Sequence, residues 1–102
     1  MIHVIATIQL QRGKRAEFLK EFHALMPSVR AEEGCIEYGP TIDVATGLSV
    51  QPSLRDDVVV VVEKWESVDA LKAHLAAPHM LTYRERVKDL VLGVELRVLE
   101  PA

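Results

Sequence analysis

The five consecutive valines of Val58–Val62 restrict the fold more than any other stretch of this chain. A β-branched run of this kind is typical of a strand, which we expect to continue through Glu63 and Lys64 to Trp65. Since no polar residue alternates with the valines, both faces of the strand should be covered. A chain of 102 residues makes one domain with a single modest core. Its helices can cover only one face of an antiparallel sheet, so we expect the other face to meet a second subunit.

A strand and a long helix are predicted before the valine run. Apolar residues occupy every even position of Ile2–Leu10, and this period of two indicates a strand. Between Gly13 and Gly34, apolar residues recur at steps of three and four, which predicts an amphipathic helix. Pro27 lies inside this segment and is expected to kink or break the helix, with a short helical continuation after it.

A second strand is predicted to begin at Cys35 and to run to about Val44. The stretch Val44–Asp57 that follows is rich in turn-forming residues and is longer than the usual hairpin loop of about two to five residues. Two interpretations of it stay open, a flap beside a functional site and an exposed loop without such a role.

The C-terminal part of the chain predicts two short helices and a last strand. Ser67 is a good cap for a helix that ends near Ala77, and Pro78 suits the first turn of a second helix that runs to about Val91. Alternation over Val94–Val98 predicts the last strand. The resulting order is βαββαβ, the ferredoxin-like α+β arrangement, with helices on one face of a four-stranded antiparallel sheet and a single domain over residues 1–102.

The charge pattern favours a small-molecule or protein partner. The formal net charge is −3, with acidic and basic residues interleaved, so neither nucleic acid nor a membrane surface is an expected partner. The apolar N-terminal stretch is too short to span a membrane and lacks the pattern of a signal peptide, so we expect a cytoplasmic protein. Cys35 is the only cysteine, which excludes an internal disulfide. A small buried side chain is favoured over a nucleophile there, because no acid–base partner lies near it in sequence.

His74 and His79, five residues apart with Pro78 between them, raise the question of a metal site. Five residues on a helix rotate the side-chain direction by about 140°, whereas two ligands for one ion need a spacing of four. Pro78 also puts the two histidines on different helices or on either side of a kink. We therefore predict no metal site, although both side chains can still reach one cavity.

Two stretches carry a resemblance to a known family. They are Glu33–Tyr38 (EGCIEY) and Val62–Ser67 (VEKWES), the latter running into Ala73-His74-Leu75 and Pro78-His79-Met80. In order and separation they resemble the antibiotic biosynthesis monooxygenase family, particularly its quinol-monooxygenase-like members. The resemblance covers nearly the whole chain and implies a homodimer, a dimeric α+β barrel in which the open sheet faces meet. It also implies oxidation of electron-rich aromatics such as quinols by O2 without a metal, flavin or other cofactor.

Oxygenation without a cofactor requires a base, because the deprotonated aromatic gives up an electron most easily. A histidine is the natural base, since its pKa lies near neutrality. His74 is the predicted catalytic base, because it is a polar residue beside the apolar stripe of its helix and the family resemblance puts this position at the cavity. The competing interpretation is a solvent-exposed histidine, which is what we expect for His23.

Five further residues are predicted to bind the substrate: Trp65, His79, Tyr83, Arg86 and Glu63. Trp65 could form a wall of the pocket or pack in the core, and Glu63 lies on the same face of its strand. His79 is either a substrate ligand or a hydrogen-bonding residue near a helix start. Tyr83 and Arg86 could hold an oxyanion, but Tyr83 also lies on an apolar stripe and Arg86 could pair with Asp89 on the surface.

Two alternatives to a quinol monooxygenase follow from the same residues. The heme-degrading branch of the superfamily uses an asparagine in the first strand, a tryptophan at the position of His74 and an iron-ligating histidine at the position of Arg84. None of these three is present, which argues against heme chemistry. A non-catalytic dimer that binds a small aromatic or another protein, for example in a stress response, stays open because the sequence contains no carboxylate pair, nucleophile triad or metal motif.

Overall fold

The computed structural model describes residues 1–102 as four strands and three helices. In chain order these are β1 (Ile2–Leu10), α1 (Arg15–Arg30), β2 (Cys35–Thr41), β3 (Val58–Trp65), α2 (Val68–Leu75), α3 (Pro78–Val87) and β4 (Val91–Leu99). This order confirms the predicted ferredoxin-like α+β fold, with the second helical segment divided in two before Pro78. None of the helices combines the length and apolarity that a membrane span requires.

All four strands form one antiparallel sheet in the order β2-β3-β1-β4. The valine run therefore lies in a central strand, where Val61 pairs with Ala6 of β1 on one side and with Pro40 of β2 on the other. Ala6 in turn pairs with Leu96 of β4. Pro40 is tolerated because β2 is an edge strand. On the outer side of an edge strand no neighbouring carbonyl needs the N–H that proline lacks.

The core lies between one face of the sheet and the helices. Alternate residues of β1 and β3 point into it, and α1 covers them with Phe18 and Phe22, which are fully buried. On the opposite face of the sheet, Ile5, Val60 and Val62 are only half-buried. Within one chain the valine run is thus covered on its helix side alone.

The outer edge strand β4 is exposed along most of its length. Its apolar side chains Leu92, Val94, Leu96 and Val98 are all exposed, although β4 is bonded to β1 over its whole length. Apolar residues in this alternating arrangement are typical of a strand surface that meets another protein surface.

The predicted end of the last helix was wrong, and of the two outcomes expected at Pro27 the structure excludes a break. The helix α1 continues through Pro27 to Arg30 without a break. Pro27 removes one backbone hydrogen bond, but it lies within the last turns of α1, and the buried side chains Met26 and Val29 hold those turns against the core. The last helix ends at Val87 rather than near Val91, because Val91 already pairs with Leu10 as the first residue of β4.

The loop of residues 42–57 begins earlier than predicted, since β2 ends at Thr41 and not near Val44. Beyond the strand, the carboxylate of Asp43 accepts two hydrogen bonds of 2.9 Å from the Arg55 guanidinium and one from the Arg55 backbone N–H. The side chain of Arg15 in α1 also donates to the Arg55 carbonyl. The loop is thus closed on itself at its base and tied to α1, on the exposed side of the molecule.

Candidate active site

A cavity of about 370 Å³ lies between the sheet and the helices, and we call it the inner cavity. Its wall is built from residues of the sheet and of all three helices. Of the 16 lining residues, 12 are hydrophobic. The four others are Glu63, His74, Arg84 and Lys88. No residue of the loop 42–57 contributes to the wall, so the loop does not act as a flap over this cavity in the structure. A small, mostly apolar space with a few polar groups is typical of a site for a small molecule.

His74 lies in α2 with its imidazole almost completely buried against the inner cavity. The sequence predicts a buried stripe of Val68, Leu71 and Leu75 on this helix. In the structure the buried residues of α2 are Leu71 and His74 and Val68 is exposed, so the inward face of the helix is rotated from that stripe. The Nδ1 atom of His74 lies 2.9 Å from Oε2 of Glu32. Because an ionised carboxylate can only accept, Nδ1–H donates and the lone pair of the neutral ring is on Nε2.

The unprotonated Nε2 of His74 is available to a ligand. It makes no hydrogen bond with the protein. Every fully buried polar side-chain atom of the chain does have a hydrogen-bond partner, so Nε2 is not fully buried. Since His74 lines the inner cavity, Nε2 is open to that cavity. Burial lowers the pKa of His74, and the hydrogen bond to Glu32 opposes this shift only in part. The ring is therefore neutral at pH 7 and can accept a proton.

Two aromatic rings fix the orientation of the His74 imidazole. The ring of Trp65 lies 4.6 Å from it between centroids, and that of Tyr38 lies 5.3 Å away in an edge arrangement. The indole Nε1–H of Trp65 donates to Oε1 of Glu63 at 2.9 Å. Trp65 is fully buried and does not line the inner cavity. Of the two interpretations of this residue, a pocket wall and core packing, the structure therefore shows core packing.

Glu63 is a buried carboxyl group at the inner cavity. Burial raises its pKa to about 7, while the hydrogen bond from Trp65 favours the carboxylate and the charge of Glu32 disfavours it. The group is thus close to half protonated at neutral pH and can either donate or accept a proton. Glu63 shares a strand face with Trp65, as predicted, but only Glu63 reaches the cavity.

Two phenol groups complete the polar side of the inner cavity. Tyr83 packs edge-on against Phe18 and Phe22, and Tyr38 stacks on Phe22 with ring centroids 5.3 Å apart. Burial raises the pKa of both hydroxyls, which therefore stay protonated. Neither hydroxyl is hydrogen-bonded within the protein, so both can donate to an oxygen of a bound molecule.

Two of the predicted binding residues face a different space. A second depression, which we call the outer groove, lies between α1 and α3 and is lined by His79 and Arg86 among others. The guanidinium of Arg86 donates to both carboxylate oxygens of Glu21, at 2.7 and 3.2 Å, and not to Asp89. Nε2 of His79 lies 2.8 Å from Oε2 of Glu32. The structure thus brings Glu63, His74 and Tyr83 together at one cavity, with Tyr83 lining the outer groove as well. It places Trp65, His79 and Arg86 outside the wall of the inner cavity.

Sequence reasoning missed Glu32, which contacts both histidines. Glu32 lies in the turn after α1, and this turn is held against the connection between β3 and α2 by Gly34, whose carbonyl accepts from the backbone N–H of Glu66. Gly34 has a φ of +83°, and a Cβ atom there would lie only 2.7 Å from Cβ of Ala70. The glycine of the EGC stretch was therefore the one local signal that this turn packs closely against another element.

No group of three His, Cys, Asp or Glu side chains is arranged to hold a metal ion. His74 and His79 do converge, as the sequence allowed, but they converge on a carboxylate oxygen. The chemistry that this arrangement offers is proton transfer beside an apolar cavity.

Comparison with known proteins finds a family that matches most of the chain. The family described as "Antibiotic biosynthesis monooxygenase" matches residues 1–86. The chain is 44% identical over 103 residues to the Escherichia coli protein "Probable quinol monooxygenase YgiN", covering 99% of this chain and 98% of that one.

Solved structures show the same fold. PA3566 from Pseudomonas aeruginosa is similar with a TM-score of 0.80 and 25% identity, over 99% of this chain and 93% of that one. Rv0793 from Mycobacterium tuberculosis has a TM-score of 0.79 and 27% identity, over 99% and 94%. The sequence and the fold agree that this chain belongs to the antibiotic biosynthesis monooxygenase family.

Proposed function

We propose that this protein is a monooxygenase that oxidises a quinol or a related polyphenol with O2, without a metal or flavin, and that His74 is its catalytic base. The observation that carries the proposal is the buried Glu32–His74 pair, which presents an unprotonated nitrogen to an apolar cavity. The name of the E. coli relative supports the quinol as substrate class.

The substrate supplies all the electrons in this reaction. Nε2 of His74 takes a proton from a quinol hydroxyl, and the resulting anion transfers an electron to O2 in the cavity. Recombination of the two radicals forms a C–O bond, and cleavage of the O–O bond leaves one oxygen atom on the ring. The other oxygen leaves as water. Oxidation of the quinol to the quinone level supplies two electrons and replacement of a ring C–H bond supplies two more, which balances the reduction of O2.

The polar groups around His74 are suited to the other steps. The hydroxyls of Tyr38 and Tyr83 donate hydrogen bonds to the substrate oxygens, which favours the anion in an otherwise apolar space. Glu63, in its protonated form, returns a proton to the departing oxygen atom. A base with a lowered pKa and an acid with a raised pKa at one cavity are the pairing that this chemistry requires.

A homodimer is part of the same proposal. The half-buried Ile5, Val60 and Val62 on the open face of the sheet support a second copy as the surface that covers this face. The exposed apolar side chains of β4, of which Val94 and Leu96 line the inner cavity, are a second uncovered apolar surface. A cytoplasmic location stays a prediction from the sequence.

Oxygen consumption tests the proposal. Metal-stripped protein is mixed with a panel of hydroquinones and anthrones, and uptake is compared with a matched autoxidation blank. We expect uptake above the blank, and its loss in His74→Ala, with His23→Ala as the control because His23 is an exposed histidine of α1. Binding of aromatics without oxygen uptake by the native protein would instead favour the non-catalytic binding protein.

A further inference from the structure

A single carboxylate oxygen joins two histidines from different helices. Oε2 of Glu32 lies 2.9 Å from Nδ1 of His74 in α2 and 2.8 Å from Nε2 of His79 in α3. The exposed fraction of the three side chains rises in order, from 2% for His74 to 13% for Glu32 and 31% for His79. The three groups thus form a continuous hydrogen-bonded path from the interior towards solvent.

The two ends of this path face different spaces. His74 lines the inner cavity, whereas His79 lines the outer groove between α1 and α3, and Glu32 lines neither. Nδ1 of His79 makes no hydrogen bond with the protein and is not buried, so it is open to water. The path therefore crosses the protein layer that separates the substrate space from the outside.

We propose that Glu32 and His79 form a proton relay that exchanges protons between His74 and water in the outer groove. The inference rests on the proposed role of His74 as the base. A proton accepted at Nε2 of His74 displaces the Nδ1 proton to Oε2 of Glu32, which passes it to Nε2 of His79, and Nδ1 of His79 releases a proton to water. His79 must present an unprotonated Nε2 for this transfer, and tautomer exchange with water at its exposed ring supplies that form.

The relay would carry the proton that His74 takes from the substrate out of the apolar inner cavity. A proton removed from the substrate at the start of the reaction is needed again only when the second oxygen atom leaves as water. Between these steps the imidazolium of His74 would stay beside the substrate anion and the positively charged Arg84. Exchange through Glu32 and His79 removes that proton without opening the apolar cavity to water, and the reverse transfers return one later.

The charged groups near the outer end do not block the path. In the outer groove the guanidinium of Arg86 is held by the carboxylate of Glu21, so these two charges compensate each other beside His79. Glu32 bonds to the two histidines and to no cation in the structure.

The relay predicts fast exchange of one buried proton, which can be measured without any substrate. In protein labelled with nitrogen-15 at histidine, NMR measures the exchange of the His74 Nδ1 proton with water. His79→Gln can still donate a hydrogen bond to Glu32 but cannot pass a proton on. We expect it to slow this exchange about a hundredfold, the lower end of what a positioned proton-transfer group contributes. His23→Gln is the matched control and is expected to exchange as the native protein does. Equal exchange rates in the native protein and His79→Gln overturn the relay.

A second variant separates proton transfer from a structural role. In His79→Ala, added imidazole can bind in the space that the side chain vacated and should restore fast exchange at constant pH. Exchange that stays slow at every imidazole concentration contradicts the relay, because His79 then acts only through the packing of α3. The outcome is independent of the proposed function, since oxygen uptake by the native protein tests the reaction and proton exchange tests the path.

Discussion

The buried carboxyl of Glu63 makes the stability of the fold depend on pH. Its side chain is only 5% exposed, and burial raises its pKa from 4.5 to about 7. Since the folded chain binds this proton more tightly than the unfolded chain, the stabilisation is complete below pH 4.5 and is lost as the pH rises through about 7. At about 1.4 kcal/mol for each pH unit of difference, the loss amounts to about 3 kcal/mol of unfolding free energy.

Replacing Glu63 by glutamine isolates this contribution. Glu63→Gln keeps an oxygen that accepts from the indole of Trp65 but cannot ionise. The unfolding free energies of the native protein and the variant are measured by urea titration at one protein concentration, from about pH 4.5 to about pH 8. We expect the native protein to lose about 3 kcal/mol relative to Glu63→Gln over this interval. Glu33→Gln, an exposed glutamate in the turn before β2, controls for loss of one charge.

Parallel stability curves for the native protein and Glu63→Gln would refute the reasoning. They would mean that the carboxyl of Glu63 ionises equally easily in the folded and the unfolded chain. Glu63 would then not be a proton-donating acid near neutral pH, and the return of a proton by Glu63 would have no support.

Substitutions at three other positions around the candidate site have expected effects that can be measured. Gly34→Ala is expected to destabilise the fold by about 1–3 kcal/mol in urea titration, because φ is +83° and the new Cβ would meet Ala70. Glu32→Gln is expected to slow quinol-dependent oxygen uptake at least about tenfold, since no carboxylate then stabilises the His74 imidazolium. Trp65→Phe removes the indole N–H that favours the Glu63 carboxylate, so NMR titration should find a still higher pKa for Glu63. Unchanged values in these three assays would contradict the respective contacts.

The strands and helix starts could be predicted because their signals are local. The valine run, the alternation of Ile2–Leu10, the cap at Ser67 and the proline at the start of α3 each act over a few residues, and the structure has each where it was expected. The errors have tertiary causes. Core packing holds α1 helical through Pro27, and pairing with β1 begins β4 at Val91, so that α3 ends at Val87 and residues 88–90 form a turn.

The site was less predictable because its contacts join distant parts of the chain. Glu32 lies 42 residues before His74 and 47 before His79, and no spacing rule links a turn to two helices at such separations. The sequence left open whether Trp65 forms a wall of the pocket or packs in the core, and it gave no sign that Glu63 on the same strand accepts the indole N–H. Only the packed structure determines which of several plausible partners a polar group meets.

The incorporation of oxygen into the product tests the central claim most directly. Metal-stripped native protein and His74→Ala are incubated with a hydroquinone under O2 labelled with the heavy oxygen isotope, and the product is analysed by mass spectrometry. The proposed reaction predicts one labelled oxygen atom in the quinone formed by the native protein, and no labelled product above the autoxidation blank with His74→Ala. An unlabelled quinone accompanied by hydrogen peroxide, or equal labelling with both proteins, would contradict a monooxygenase that uses His74 as its base.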